Sequence, residues 1–194
     1  MDRRGVLAAA VTPRTAILAL AASLVLASAT VMASGNAVVA ARQSSMKDMA
    51  AAARTIAEMF DGKRAYQPES FKAAAGTLRD RTGAALIAEF PAGSLGAPSG
   101  AREEIDQARP EFETLARHIG LLAAALSSKA DKAPAEITGD MRMGAGLPMD
   151  GGSLLGKRAN AAEINPEKLP VEHLLHLILQ DCSSCHSRFR EKLE

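Results

Sequence analysis

Both cysteines of the chain fall in one short run, Cys182-Ser183-Ser184-Cys185-His186. Two thiols three residues apart, followed at once by an imidazole, form the attachment signature for a c-type haem. The spacing has a physical reason. Each thiol must reach a vinyl group on adjacent pyrroles to form a thioether, and the next residue must bring a nitrogen to the iron. On a helix, positions i, i+3 and i+4 share a face, so Cys182, Cys185 and His186 point at one ring. A structural zinc site would need four ligands, and there is no second cysteine pair. A thioredoxin-like dithiol should sit beside a βαβ pattern, and no strand-like alternation is present.

Other candidate ligands are scarce, with four His and eight Met in 194 residues. At 100° per residue, His173 and His176 project away from the face that carries His186 and read as surface or inter-helix residues. On the same reckoning Val171, Leu174, Leu175, Ile178, Leu179, Phe189 and Leu193 lie within about 120° of arc around the cysteine face. They are expected to wall a porphyrin with apolar surface. No carboxylate pair or Ser-His-Asp grouping falls on one face, so an enzyme is not expected.

The elements that must hold this motif are helical. Apolar residues make up 47% of the chain while aromatics are only 3% and tryptophan is absent. Ala and Leu dominate, and both favour helix. The periodicity predicts four helices: about Asn36 to Phe60 with Asn36 as N-cap, Ser70 to Phe90, Pro110 to Ser127, and Val171 to Leu193. Residues 102–109 read as a short helix leading into the third. Val39, Arg42, Met46, Met49, Ala53, Ile56 and Phe60 share one face of the first, and Phe71, Ala74, Leu78 and Ala85 one face of the second. Each stripe needs the others to bury it, which predicts an all-α, up-down-up-down four-helix bundle. Residues 129–168, rich in Gly and Met, interrupt the pattern as a long insert between the third and fourth helices, either a mobile loop or a partly ordered one.

Ahead of the bundle, Arg3, Arg4 and Arg14 precede an uncharged run from Ala16 to Ala33. A basic start, an apolar middle and small residues at 27–29 or 31–33 read as a secretory signal peptide over 1–33, cleaved near 29 or 33. Uncleaved, the same run is just long enough to anchor in a membrane. The domain proper is then 34–194, nearly neutral and periplasmic. The formal net charge of +1 gives no reason to propose nucleic acid as a partner.

Four places resemble the cytochrome c′ family and its low-spin relatives. Arg42-Gln43-Ser44-Ser45-Met46-Lys47 resembles the Arg-x-x-x-Met/Leu stretch of the family's first helix. Phe90-Pro91-Ala92-Gly93-Ser94 resembles the turn after its second, and Ile105 to Phe112 the entry to its third. Cys182 to Arg190 matches the attachment motif followed by an aromatic and a basic residue, Phe189 and Arg190. The insert departs from the family, whose connection is usually much shorter. The resemblance implies one covalent haem c bound through Cys182 and Cys185, with His186 as the proximal iron ligand. It implies Met46 on the distal side, either as a sulfur ligand or as a packing residue. With Met46 bound, the chain is an electron-transfer cytochrome working with redox partner proteins. With Met46 only packing, the haem is five-coordinate and binds nitric oxide or carbon monoxide. Arg42 would lie near the haem propionates, or else be a solvated helix charge, and Arg190 would flank the proximal imidazole. Met49, Met141, Met143 and Met149 are poorer candidates as ligands. Bundles of this family often dimerise through helix faces, which makes a homodimer an expectation.

Overall fold

The computed structural model describes residues 13–96, 99–144 and 165–191, with side chains from Ala37 onward. Among the described residues six α-helices follow one another: α1 Pro13–Phe60, α2 Pro68–Arg81, α3 Ala84–Ala88, α4 Glu104–Gln107, α5 Arg109–Ala130 and α6 Val171–Phe189. In the unit Val39–Glu194 the part of α1 from Val39 onward, with α2, α5 and α6, forms the up-down-up-down bundle. The expected signal segment, 1–33, and half of the insert, 145–164, lie outside the residues whose side chains are described. Among residues with described side chains, no helix is long and apolar enough to cross a membrane.

Three helix boundaries differ from the sequence expectation by four residues or more, each for a local reason. Asn36 does not cap α1, because the helix runs through it from Pro13. The Ala- and Leu-rich stretch before Asn36 is as good a helix former as the residues after it. The second helix stops at Arg81 instead of reaching Phe90. Thr82 takes an extended backbone and turns its hydroxyl back to the Leu78 carbonyl at 2.7 Å, and Gly83 adopts a φ of +62°. The break lets α5 pass close by: a Cβ on Gly120 would stand 2.7 Å from the Gly83 Cα. Two glycines therefore set this crossing. The last helix ends at Phe189, four residues before the expected Leu193. Arg190 turns extended and pairs with Ala101, with Arg102 N donating to Phe189 O at 3.0 Å and Glu191 N to Gly100 O at 2.8 Å.

The helices bury two apolar clusters. The larger is built from Ala53, Ile56 and Phe60 of α1, Phe71 and Leu78 of α2, Ile119, Leu122 and Leu126 of α5, and Leu174, Leu175 and Ile178 of α6. Part of the insert belongs to it. Met141 is buried there, and Arg142 Nη1 donates to the Phe60 carbonyl at 3.2 Å, so residues 131–144 close that end of the bundle. The smaller cluster gathers Leu86, Phe90, Ala101, Ile105, Phe112, Ala116 and Phe189.

Candidate cofactor-binding site

Beside the smaller cluster lies a cavity of about 450 Å³. Its walls come from α1, α3, α4, α5, α6 and the segment that joins α3 to α4. α1 supplies Arg42, Gln43, Met46, Lys47 and Ala50, and α3 and its exit supply Leu86 and Phe90. The segment 99–105 adds Ser99, Gly100, Ala101 and Ile105, α5 adds Phe112, and the end of α6 brings Cys185, His186, Phe189 and Arg190. Three of the five phenylalanines meet here. Phe90 and Phe112 have centroids 5.0 Å apart, and Phe112 meets Phe189 edge-on at 5.6 Å.

Of the attachment motif, Cys185 and His186 line the cavity directly. Cys182, one turn earlier, is half-buried and packs at the margin of the larger cluster. Both thiols are free. Burial pushes each up to about 11; the Asp181 charge adds to this at Cys182, and Cys182 and then Asp181 add to it at Cys185. At neutral pH both therefore stay protonated. That is the opposite of a reactive redox dithiol, whose nucleophilic cysteine is held below the ordinary thiol value. Burial, followed by the nearby Arg190 charge, lowers the pKa of His186, which keeps its ring neutral and a lone pair open to a metal.

Two readings of the wall need correction. Val171, Leu174, Leu175 and Ile178 do not wall this cavity but fill the larger core, and Leu179 is 39% exposed. Sharing a face is not enough. Leu174 lies eleven residues before Cys185, about 16 Å along the helix axis. Of the residues expected there from α6, Phe189 alone lines the cavity among the described ones, and Leu193 lies outside them. Nor is Arg42 a solvated helix charge, since it is buried at 3% exposure. Its Nε donates to Glu89 O at 2.9 Å, Nη1 to Ser99 Oγ at 3.0 Å and Ser94 O at 3.3 Å, and Nη2 to Ser94 Oγ at 2.7 Å. The guanidinium also stacks over Phe90, 4.1 Å from the ring centroid. Four of its five N–H groups are thus committed to the protein, leaving one for an anionic group in the cavity.

Met46 lines the cavity, half-buried against the smaller apolar cluster. Met49 packs between the two clusters, Met141 is in the larger core and Met143 is exposed, while Met149 lies outside the described residues. His173 and His176 do not line the cavity, and His118 is paired with Asp181. Arg190 is exposed at the cavity's edge, its backbone fixed by the pairing with Ala101. Ser99, Gly100 and Ala101 come from a connection without periodicity, which hid them from sequence reading. The gathering of scarce phenylalanines was the available signal.

The model of the family described as cytochrome C′ matches residues 37–143, more than half of the chain. The chain belongs to the cytochrome c′ family. The match stops short of Cys182, so the attachment motif is a separate observation that agrees with it. Solved cytochromes c′ share the fold. One covers 81% of this chain and 97% of its own, at 20% identity and a TM-score of 0.56. The protein from Shewanella frigidimarina covers 78% and 91%, at 17% identity and 0.54. A mutant from Alcaligenes xylosoxidans, in a nitric oxide complex, covers 81% and 97%, at 19% identity and 0.56. No curated protein matches the sequence.

As a cytochrome c′ the chain carries one covalent haem c, and its residues fit that group. Two half-buried, un-ionised thiols stand one helical turn apart, and a neutral imidazole opens onto a largely apolar cavity of the size that holds cofactors. Cys182 and Cys185 would hold it covalently and His186 would be its proximal ligand.

Proposed function

We propose that this cytochrome c′ binds a small diatomic ligand, nitric oxide or carbon monoxide, on the side of the haem away from His186. When bound, haem supplies an iron that either takes such a ligand or passes a single electron. The observation that carries the reading is the composition of the cavity wall. It presents one imidazole, while its remaining lining is dominated by packing side chains such as Leu86, Phe90, Ile105 and Phe112. Such a wall favours a neutral diatomic molecule over an ionic ligand. Nitric oxide complexes among the solved relatives support the same reading.

A second reading rests on Met46, whose thioether stands in that wall. Bound to iron together with His186, it would give a six-coordinate, low-spin centre suited to one-electron transfer with redox partner proteins. The ferrous spectrum separates the two. The gas-binding reading expects a broad high-spin envelope that changes fully on adding carbon monoxide. Sharp low-spin α and β bands that are lost in Met46→Ala would overturn it and establish electron transfer. In either case the work is binding or electron transfer rather than catalysis of a substrate's conversion. The proposed setting is the periplasm, reached by cleavage of the basic and apolar leader near 29 or 33, with a homodimer as the proposed assembly. Intact mass and sedimentation of the exported protein test these points.

A further inference from the structure

One polar pair outside the cavity touches the attachment turn. His118, midway along α5, meets Asp181 of α6 with 2.7 Å between Nδ1 and Oδ2. A carboxylate only accepts, so the imidazole Nδ1 carries the proton and donates. The carboxylate is more shielded than the ring, with side-chain exposures of 20% and 40%. Asp181 directly precedes Cys182, and at four residues before Cys185 it shares that cysteine's helix face. Neither member has another charge three or four positions away on its own helix: Thr114, Leu115, Leu121 and Leu122 flank His118, and Leu177, Ile178, Ser184 and Cys185 flank Asp181.

We propose that His118 and Asp181 are a positioning pair for the haem: the α5 imidazole pins the carboxylate beside the two attachment sulfurs, which fixes the turn of α6 that carries them and holds a negative charge at the thioether edge. The inference rests on haem attachment at Cys182 and Cys185. A carboxylate free to rotate into water would be screened and would contribute little there. Held at 2.7 Å by a partner on another helix, it keeps its place. A fixed negative charge beside the two attachment sulfurs would favour the oxidised, more positive state of a haem held there, and so lower its reduction potential.

The test is the midpoint potential of the haem-loaded protein, measured alongside its intact mass and its spectrum. Asp181→Asn is expected to raise the potential with one haem still attached and the spectral bands unmoved. Asp181→Glu, which restores the charge, should return it close to the parent value. His118→Leu should raise it by a smaller amount, because the carboxylate is freed rather than removed, and His118→Gln, which keeps a donor, should raise it least. A haem-loaded Asp181→Asn protein with the parent potential overturns the proposal. Should that variant fail to load, an unchanged potential in His118→Leu overturns it equally, since a merely structural contact would alter stability alone. A parent protein with no covalent haem would refute the attachment site itself, a separate result visible in the mass.

Discussion

The two ends of the bundle are built by different means. At one end, Ile56, Phe71, Leu122, Leu126, Leu174 and Ile178 interdigitate with almost no exposure, and Met141 from the insert closes the core. At the other, α2 breaks at Thr82-Gly83, α6 stops at Phe189, and Phe90, Phe112 and Phe189 stand around a cavity of about 450 Å³. Periodic stripes make a solid. Making room for a cofactor takes interruptions, and Arg42 ties them together with hydrogen bonds to Glu89, Ser94 and Ser99.

That contrast can be broken from either side. Arg42→Leu strands the partners of four hydrogen bonds near the cavity, and hydrogen bonds to a charged group are strong. It should cost about 4 kcal/mol in denaturant unfolding and distort the haem spectrum. Met141→Ala opens a hole at the closed end and should cost about 3 kcal/mol, with the spectrum unchanged. Gly120→Ala drives a methyl against the Gly83 backbone, and about 2 kcal/mol is expected, read as a lowered thermal midpoint. Gly83→Ala strains a φ of +62° and should cost about 1 kcal/mol by the same measurement. A spectrum that moved with Met141 and not with Arg42 would reverse the assignment of roles to the two ends.

The contrast also explains what the sequence made legible. The closed end follows from spacing alone: Ala53, Ile56 and Phe60 on α1 and Phe71, Ala74 and Leu78 on α2 are buried as their stripes predict, while Ala85, beyond the break at Gly83, is exposed. The attachment motif was equally plain, because its three functional residues lie within five positions. The cavity wall was not. Val171, Leu174, Leu175, Ile178 and Leu179 share the motif's helical face but sit too far along the axis, a distance that an angular reading ignores. Ser99, Gly100 and Ala101 arrive through the pairing of Ala101 with Arg190, a contact between residues 89 apart in sequence that no local pattern announces. The burial of Arg42 has the same origin, since its partners lie 47 to 57 residues away.

The most direct test is the intact mass of the exported protein after denaturation. One haem is expected on the chain, retained through unfolding, and none when Cys182 and Cys185 are both changed to serine. A denatured mass equal to that of the polypeptide alone would contradict covalent attachment and everything built on it.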